Sequence, residues 1–172
     1  MRTISATKVR PTSDPAVPAL TVAAVIERNG RFLMIEEWVR GQRVLNQPAG
    51  HVEAGESLVQ AVVRETMEES GWVFAPEAVT GVYYWVRPGT RRGFLRVALS
   101  GSALSHDAGR RLDTGIIQAL WLSRSEMGQH AASLRSPMVM RAVDDYLGGS
   151  RMPVAALNEL SPACLLEQAL RV

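Results

Sequence analysis

The chain is short of the residues that make the quickest functional assignments. A single cysteine, Cys164, occurs in 172 residues, so neither an intrachain disulfide nor a cysteine-built metal site can form. Lysine is as scarce: Lys8 stands alone among 19 basic residues, a skew that suits a GC-rich coding sequence. The net charge is only +2 and no basic run occurs, which argues against a nucleic-acid polymer as partner. Apolar runs stop short of the ~18 residues that a membrane span needs. The opening stretch, MRTISATKVRPTSDPAVP, lacks the hydrophobic core of a secretory signal. The expected location is the cytoplasm, with no membrane contact.

The length suits one domain with tails. Residues 1–18 carry three prolines among serine and threonine without periodicity, which predicts a flexible N-terminal tail. Residues 19–150 are expected to form the domain and 151–172 a C-terminal extension. Ala19–Arg28 is rich in valine and isoleucine, and Asn29-Gly30 is a hairpin signal before a second strand over Arg31–Trp38. Val44–Val52 leads through a glycine-bearing loop into a helix. Ala78–Arg87 and Gly93–Leu99 predict a second hairpin around Arg87-Pro88-Gly89-Thr90, and Ile116–Leu122 another strand. Ser136-Pro137 opens a helix that runs to Leu147, with Gly148-Gly149 closing it. A last short amphipathic helix is expected over 162–170. Strands on both sides of a helix, with another helix late, predict an α/β/α sandwich around a mixed sheet.

The chemistry concentrates in Gly50–Trp72, GHVEAGESLVQAVVRETMEESGW. Ser57 and Gln60 have the spacing of a capping box, so a helix starts near Ser57. Val59, Val62, Val63 and Thr66 give it an apolar side, and Gly71 stops it. Glu65, Glu68 and Glu69 stand at i, i+3 and i+4, so their carboxylates share one stripe. Like charges at that spacing repel, and more so on a half-buried helix. A hard divalent cation offsets the repulsion, and oxygen-only ligands select Mg²⁺, with Mn²⁺ as substitute, over zinc. Such an ion takes its remaining oxygens from phosphates, so the site reads as metal-assisted attack of water on a phosphoanhydride. An isolated E-x-x-E-E is more often a solvated acidic face. The glycines at 50 and 55 weigh against that reading, because they allow bends that turn a carbonyl toward the helix.

The spacing G-x5-E-x7-R-E-x-x-E-E-x-G resembles the Nudix box. Outside it, Leu20–Glu37, Asn46-Gln47-Pro48-Ala49-Gly50-His51, Phe94-Leu95-Arg96, Leu134-Arg135-Ser136-Pro137 and Arg151-Met152-Pro153 resemble the NudJ branch of bacterial Nudix phosphatases. The resemblance covers roughly residues 18–155. It implies the Nudix fold and removal of a terminal phosphate from nucleoside tri- and diphosphates, or from the pyrophosphates of thiamine and its hydroxymethylpyrimidine precursor. It also implies dependence on Mg²⁺ or a similar ion. By box position it makes Glu65, Glu68, Glu69 and the carbonyl of Ala49 the metal ligands. Glu65 or Glu68 is then the general base, and Arg64 orients carboxylates by facing Glu56 and Glu53. Gly50 and Gly71 support the motif. The chain departs from that branch at Leu45, where the branch has tryptophan, and at Leu112-Asp113-Thr114-Gly115, where Asp113 is the nearest source of one further carboxylate.

Substrate contacts are read from the residues. Arg96 sits mid-strand, either outward-facing or buried with a phosphate as partner. His51 touches a phosphate or bonds to backbone. Tyr84 and Trp85 lie on opposite faces of one strand, so at most one faces the cleft, and a core or lid role is favoured for either. Arg135 is expected at its helix start rather than in the cleft. The expected partner is a small phosphorylated molecule, and the expected assembly a monomer or homodimer. Two other functions are consistent with the box: a hydrolase that releases pyrophosphate, or a non-catalytic nucleotide sensor.

Overall fold

Asn29 and Gly30 take positive φ, 53° and 74°, the paired left-handed geometry of a two-residue hairpin turn. They join β1 (Ala19–Arg28) to β2 (Arg31–Val39) in a computed structural model that describes residues 17–157. β3 (Gln42–Asn46) returns along β2, and β4 (Ala49–His51) pairs antiparallel with β1 at Thr21–Ala23. Then come α1 (Leu58–Ser70), β5 (Trp72–Val86), β6 (Gly93–His106), β7 (Ile116–Ser123), α2 (Arg124–Gln129), α3 (Pro137–Leu147) and β8 (Met152–Pro153). The main sheet order is β3-β2-β1-β6-β5-β8, with β4 beside β1 and β7 beside β2. β1 and β6 run parallel and the other pairs antiparallel, so the sheet is mixed.

Two apolar clusters cover its faces, and β1 divides its residues between them. Val22, Ala24 and Ile26 pack with Ala61 and Val62 of α1. Val25 packs with Met127 of α2 and Val139, Ala142 and Val143 of α3. Period-two alternation in the strand thus builds a sandwich with helices on both sides. Each fully buried valine contributes about 1.5–3 kcal/mol.

The helix α1 begins and ends where its sequence directs. Ser57 Oγ accepts from the Gln60 N–H at 3.0 Å, and the Gln60 side chain accepts from the Ser57 N–H at 2.8 Å. Gly71 closes it at φ 71°, its N–H bonded to the Met67 carbonyl at 3.0 Å. A Cβ at Gly71 would stand 2.9 Å from the Asp107 carbonyl oxygen, so both conformation and space require glycine there.

The second hairpin is longer than the sequence implies. β5 reaches back to Trp72, past Pro76, and β6 onward to His106, although a proline donates no hydrogen bond to a ladder. Pro76 is tolerated because the ladder shifts register between Pro76 and Ala78. The six-residue α2 escapes periodicity analysis through its shortness. Its capping box, Ser123 with Glu126, was a readable signal. The tail expected over 1–18 (but for its last two residues), the helix expected over 162–170 and Cys164 lie outside the described residues. Among the described residues no helix is long and apolar enough to cross a membrane.

Candidate active site

The C-terminal half of α1 faces β4, and a cleft of about 390 Å³ opens between them and the ends of β2, β5, β6 and α3. Glu65 and Glu69 line it, as do Ala49, Gly50, His51 and Glu53 from the loop before α1. Glu65 is 9% exposed. A Cβ on Gly50 would overlap the Glu65 carboxylate; this glycine is there for close approach. Gly50→Ala is expected to displace that carboxylate, costing about 1–3 kcal/mol of stability and most of the activity. Urea unfolding beside turnover checks it, and a fully active Gly50→Ala would dispose of the placement.

Arg64 gathers the motif. Its Nε and Nη2 grip the Glu56 carboxylate at 3.0 and 2.7 Å. Its Nη1 donates to Glu65 at 2.9 Å and Glu68 at 3.1 Å, and its Nη2 to the His51 carbonyl at 3.1 Å. Glu56, with the others, holds the guanidinium more firmly protonated than usual, and Arg64 in turn lowers Glu56. Glu53 departs from expectation: among the described residues its carboxylate makes no pair with Arg64. Its N–H donates to Glu56 Oε1 at 2.6 Å instead, so it serves through the backbone.

Glu69 Oε2 accepts from the Ala49 N–H at 2.7 Å. Burial above all, opposed by that bond and helped by the charges of Glu65, Glu37 and Asp113, pushes Glu69 up to about 9. Burial also raises Glu65 despite Arg64, with Glu68 and Asp113 adding to it. Asp113 is anchored beside them, its N–H bonded to the Glu68 carbonyl at 3.0 Å. The donors are all oxygens, and burial and mutual repulsion disfavour their charges, a cost that a hard dication would offset. They are not a ready-made chelate: among the described residues no group of three or more His, Cys, Asp or Glu side chains is arranged to hold a metal. Glu69 is turned to the Ala49 N–H, and Glu65 and Glu68 to Arg64. Glu68 does not line the cleft.

The opposite wall is cationic. Arg96 is 6% exposed, which settles its two readings in favour of burial, and its Nε has no partner among the described residues. Among the described residues its side chain has one hydrogen-bond partner, Asn46 Oδ1 at 3.4 Å. Arg135 also lines the cleft, 3.6 Å from Glu37, which corrects its placement at the helix start alone. The Arg135 N–H bonds to the Leu45 carbonyl at 2.8 Å and pins it there. Trp85 lines the cleft, stacked on Phe94 with centroids 5.8 Å apart, so of the two neighbours it is the one that faces the cleft. Tyr84 points away and is exposed. Leu45 packs in the α3-side core, so the aromatic surface comes from β5 and β6. Glu37 was missed altogether. Glu36-Glu37 follows the stretch of β2 buried on both faces at Phe32–Ile35, and alternation there forces one of the two inward.

A family model described as the NUDIX domain matches residues 17–141. This family match and the similarity to a phosphatase define the class, a hydrolase of phosphoanhydrides. The phosphatase NudJ of Escherichia coli is 35% identical over 144 residues, 84% of this chain and 93% of that protein. A NUDIX hydrolase from Nitrosomonas europaea is 45% identical and superposes with a TM-score of 0.81, over 83% of this chain and 97% of that one. The NUDIX domain of Shewanella oneidensis NrtR, solved with ADP ribose, has a TM-score of 0.61 at 17% identity over 79% and 94% of the two chains, and shares the fold alone. The chain belongs to the Nudix family and is a hydrolase similar to NudJ. Members of that family generally use divalent metal ions.

Proposed function

We propose that the protein is a Mg²⁺-dependent phosphohydrolase, with Mn²⁺ as substitute, that releases orthophosphate from nucleoside tri- and diphosphates or small organic pyrophosphates. One observation carries this: a single cleft brings together buried carboxylates and a buried guanidinium, Arg96, whose Nε has no partner among the described residues. A phosphate chain is the small ligand that satisfies both, through a cation at one end and Arg96 at the other.

In this reading Glu65, Glu69 and the Ala49 carbonyl would hold the ion, with Glu68 joining them once turned from Arg64 toward the cleft. When bound, it polarises phosphoryl oxygens and lowers the pKa of coordinated water. Arg64 fixes the rotamers of Glu65 and Glu68, and whichever of the two is freed takes the proton from the attacking water; as coupled groups they titrate together. Arg96 and His51 bind phosphate oxygens, and Trp85 with Phe94 offers a flat face to a base or pyrimidine ring. Asp113 stands ready as a further carboxylate.

The test is a panel of phosphate compounds assayed for inorganic phosphate, with and without Mg²⁺. Phosphate release that needs the ion supports the reading. Pyrophosphate from a nucleoside triphosphate transfers support to a cut inside the anhydride, and binding without any turnover to a nucleotide sensor. The similarity to a protein called a phosphatase favours the first outcome.

A further inference from the structure

The Leu134-Arg135-Ser136-Pro137 run has no role in the scheme above, and its geometry is unusual. Ser136 is the N-cap of α3, a position where serine ordinarily bonds an amide of the first turn. Here the hydroxyl makes no such bond; the Ser136 carbonyl takes the Val139 N–H at 3.2 Å. The hydroxyl is buried, in a residue 6% exposed, and has no partner among the described residues. Arg96 Nε is in the same condition, and both residues line the cleft. Leaving a buried donor unpaired is costly, so two in one cavity point to a ligand that pairs them.

The surrounding bonds hold the helix start in place. Leu134 bridges Leu45, and Gln47 Nε2 donates to the Val139 carbonyl at 3.0 Å. The 46–47 loop and the first turn of α3 are therefore one unit. Pro137 carries no N–H, and the Met138 amide at the next position has no intrahelical acceptor. Burial first, and the charge of Arg135 second, lower Arg96 to about 10. Glu69 and Glu37 oppose that lowering, and Glu37 lies 3.6 Å from Arg135, but neither carboxylate bonds Arg96 Nε or Ser136 Oγ.

We propose that Arg96, Arg135, Ser136 Oγ and the Met138 amide form an anion subsite that takes the substrate phosphate remote from the α1 carboxylates and holds it without a metal ion. It rests on the hydrolase reading only for the identity of the anion as part of a phosphate chain. Arg96 supplies the charge, the hydroxyl and amide supply direction, and Arg135 closes the subsite from the more exposed side.

Calorimetric titration of inorganic pyrophosphate into the full chain in EDTA tests it. Wild type is expected to bind, and Ser136→Ala to bind about tenfold more weakly, the loss of one charge-assisted hydrogen bond. Arg135→Ala should weaken binding by a similar factor. Ligand-free Ser136→Ala should melt no lower than wild type, because it deletes an unpaired buried hydroxyl. Unchanged affinity in Ser136→Ala, no metal-free binding by wild type, or a lowered melting temperature of the ligand-free variant would overturn the subsite. Hydrolysis with Mg²⁺ but no binding in EDTA defeats the subsite alone. Binding in EDTA with no hydrolysis of any phosphate compound defeats the hydrolase reading alone.

Discussion

Replacing Glu69 with glutamine is expected to lower turnover by about 10³-fold or more, the loss of roughly 4 kcal/mol of transition-state stabilisation, in a protein at least as stable as wild type. Glutamine is isosteric and keeps an oxygen to accept the Ala49 N–H. What it removes is the capacity to ionise, which a metal ion needs and which burial, Glu65, Glu37 and Asp113 all disfavour. Function and stability therefore pull apart at this position. The pH dependence has a definite sign. Glu69 is raised in the folded state to about 9 from an ordinary 4.5, so its contribution is fully present below about pH 4.5 and is lost as pH rises through 9. Metal-free wild type should lose melting temperature across that window, and Glu69→Gln should lose less. Melting curves in EDTA at several pH values, beside phosphate-release assays with Mg²⁺, check both halves. An active Glu69→Gln enzyme would falsify the site assignment.

Arg64→Ala is expected to be the most damaging single change to the fold of the site. It leaves the Glu56, Glu65 and Glu68 carboxylates and the His51 carbonyl without their shared donor. Breaking a buried pair costs about 3–5 kcal/mol. Arg64 is 25% exposed and partly screened, so about 2–3 kcal/mol is the expected loss. Activity should fall about 10²-fold through a misplaced Glu65. Arg64→Lys keeps the charge but not the two-pronged grip on Glu56, and should recover only part of either loss. The acid side carries its own signature. Arg64 depresses Glu56, so that stabilisation is present above about pH 4.5 and is lost as pH falls through the lowered value. The gap between wild type and Arg64→Ala should therefore narrow in acid. Urea unfolding at neutral and acidic pH measures it, and a gap that stays constant would assign the stabilisation to packing instead.

Local chemistry was legible without coordinates. A capping box and a left-handed glycine bound α1, helical periodicity put three glutamates on its stripe, and an Asn-Gly pair marked the first hairpin. All of these depend on residues a few positions apart, where backbone geometry is the same in any fold. Mid-strand Arg96 was visible as a question, since a strand position has two faces and nothing local selects one.

The other wall of the cleft was decided at long range. Arg135 reaches it because its N–H bonds to the Leu45 carbonyl, and Trp85 because β5 is carried past the cleft by its ladder with β6. Glu37 enters on the last turn-ward residues of β2, beside a register shift in its pairing with β7. The parallel pairing of β1 with β6 joins Ala19 to Phe94 and Thr21 to Arg96, and no short-range pattern encodes such a register. Short-range backbone rules thus specify the acidic helix and the loop that approaches it. The cationic and aromatic wall exists only once distant strands and the start of α3 pack together, because its residues share a cavity rather than a period.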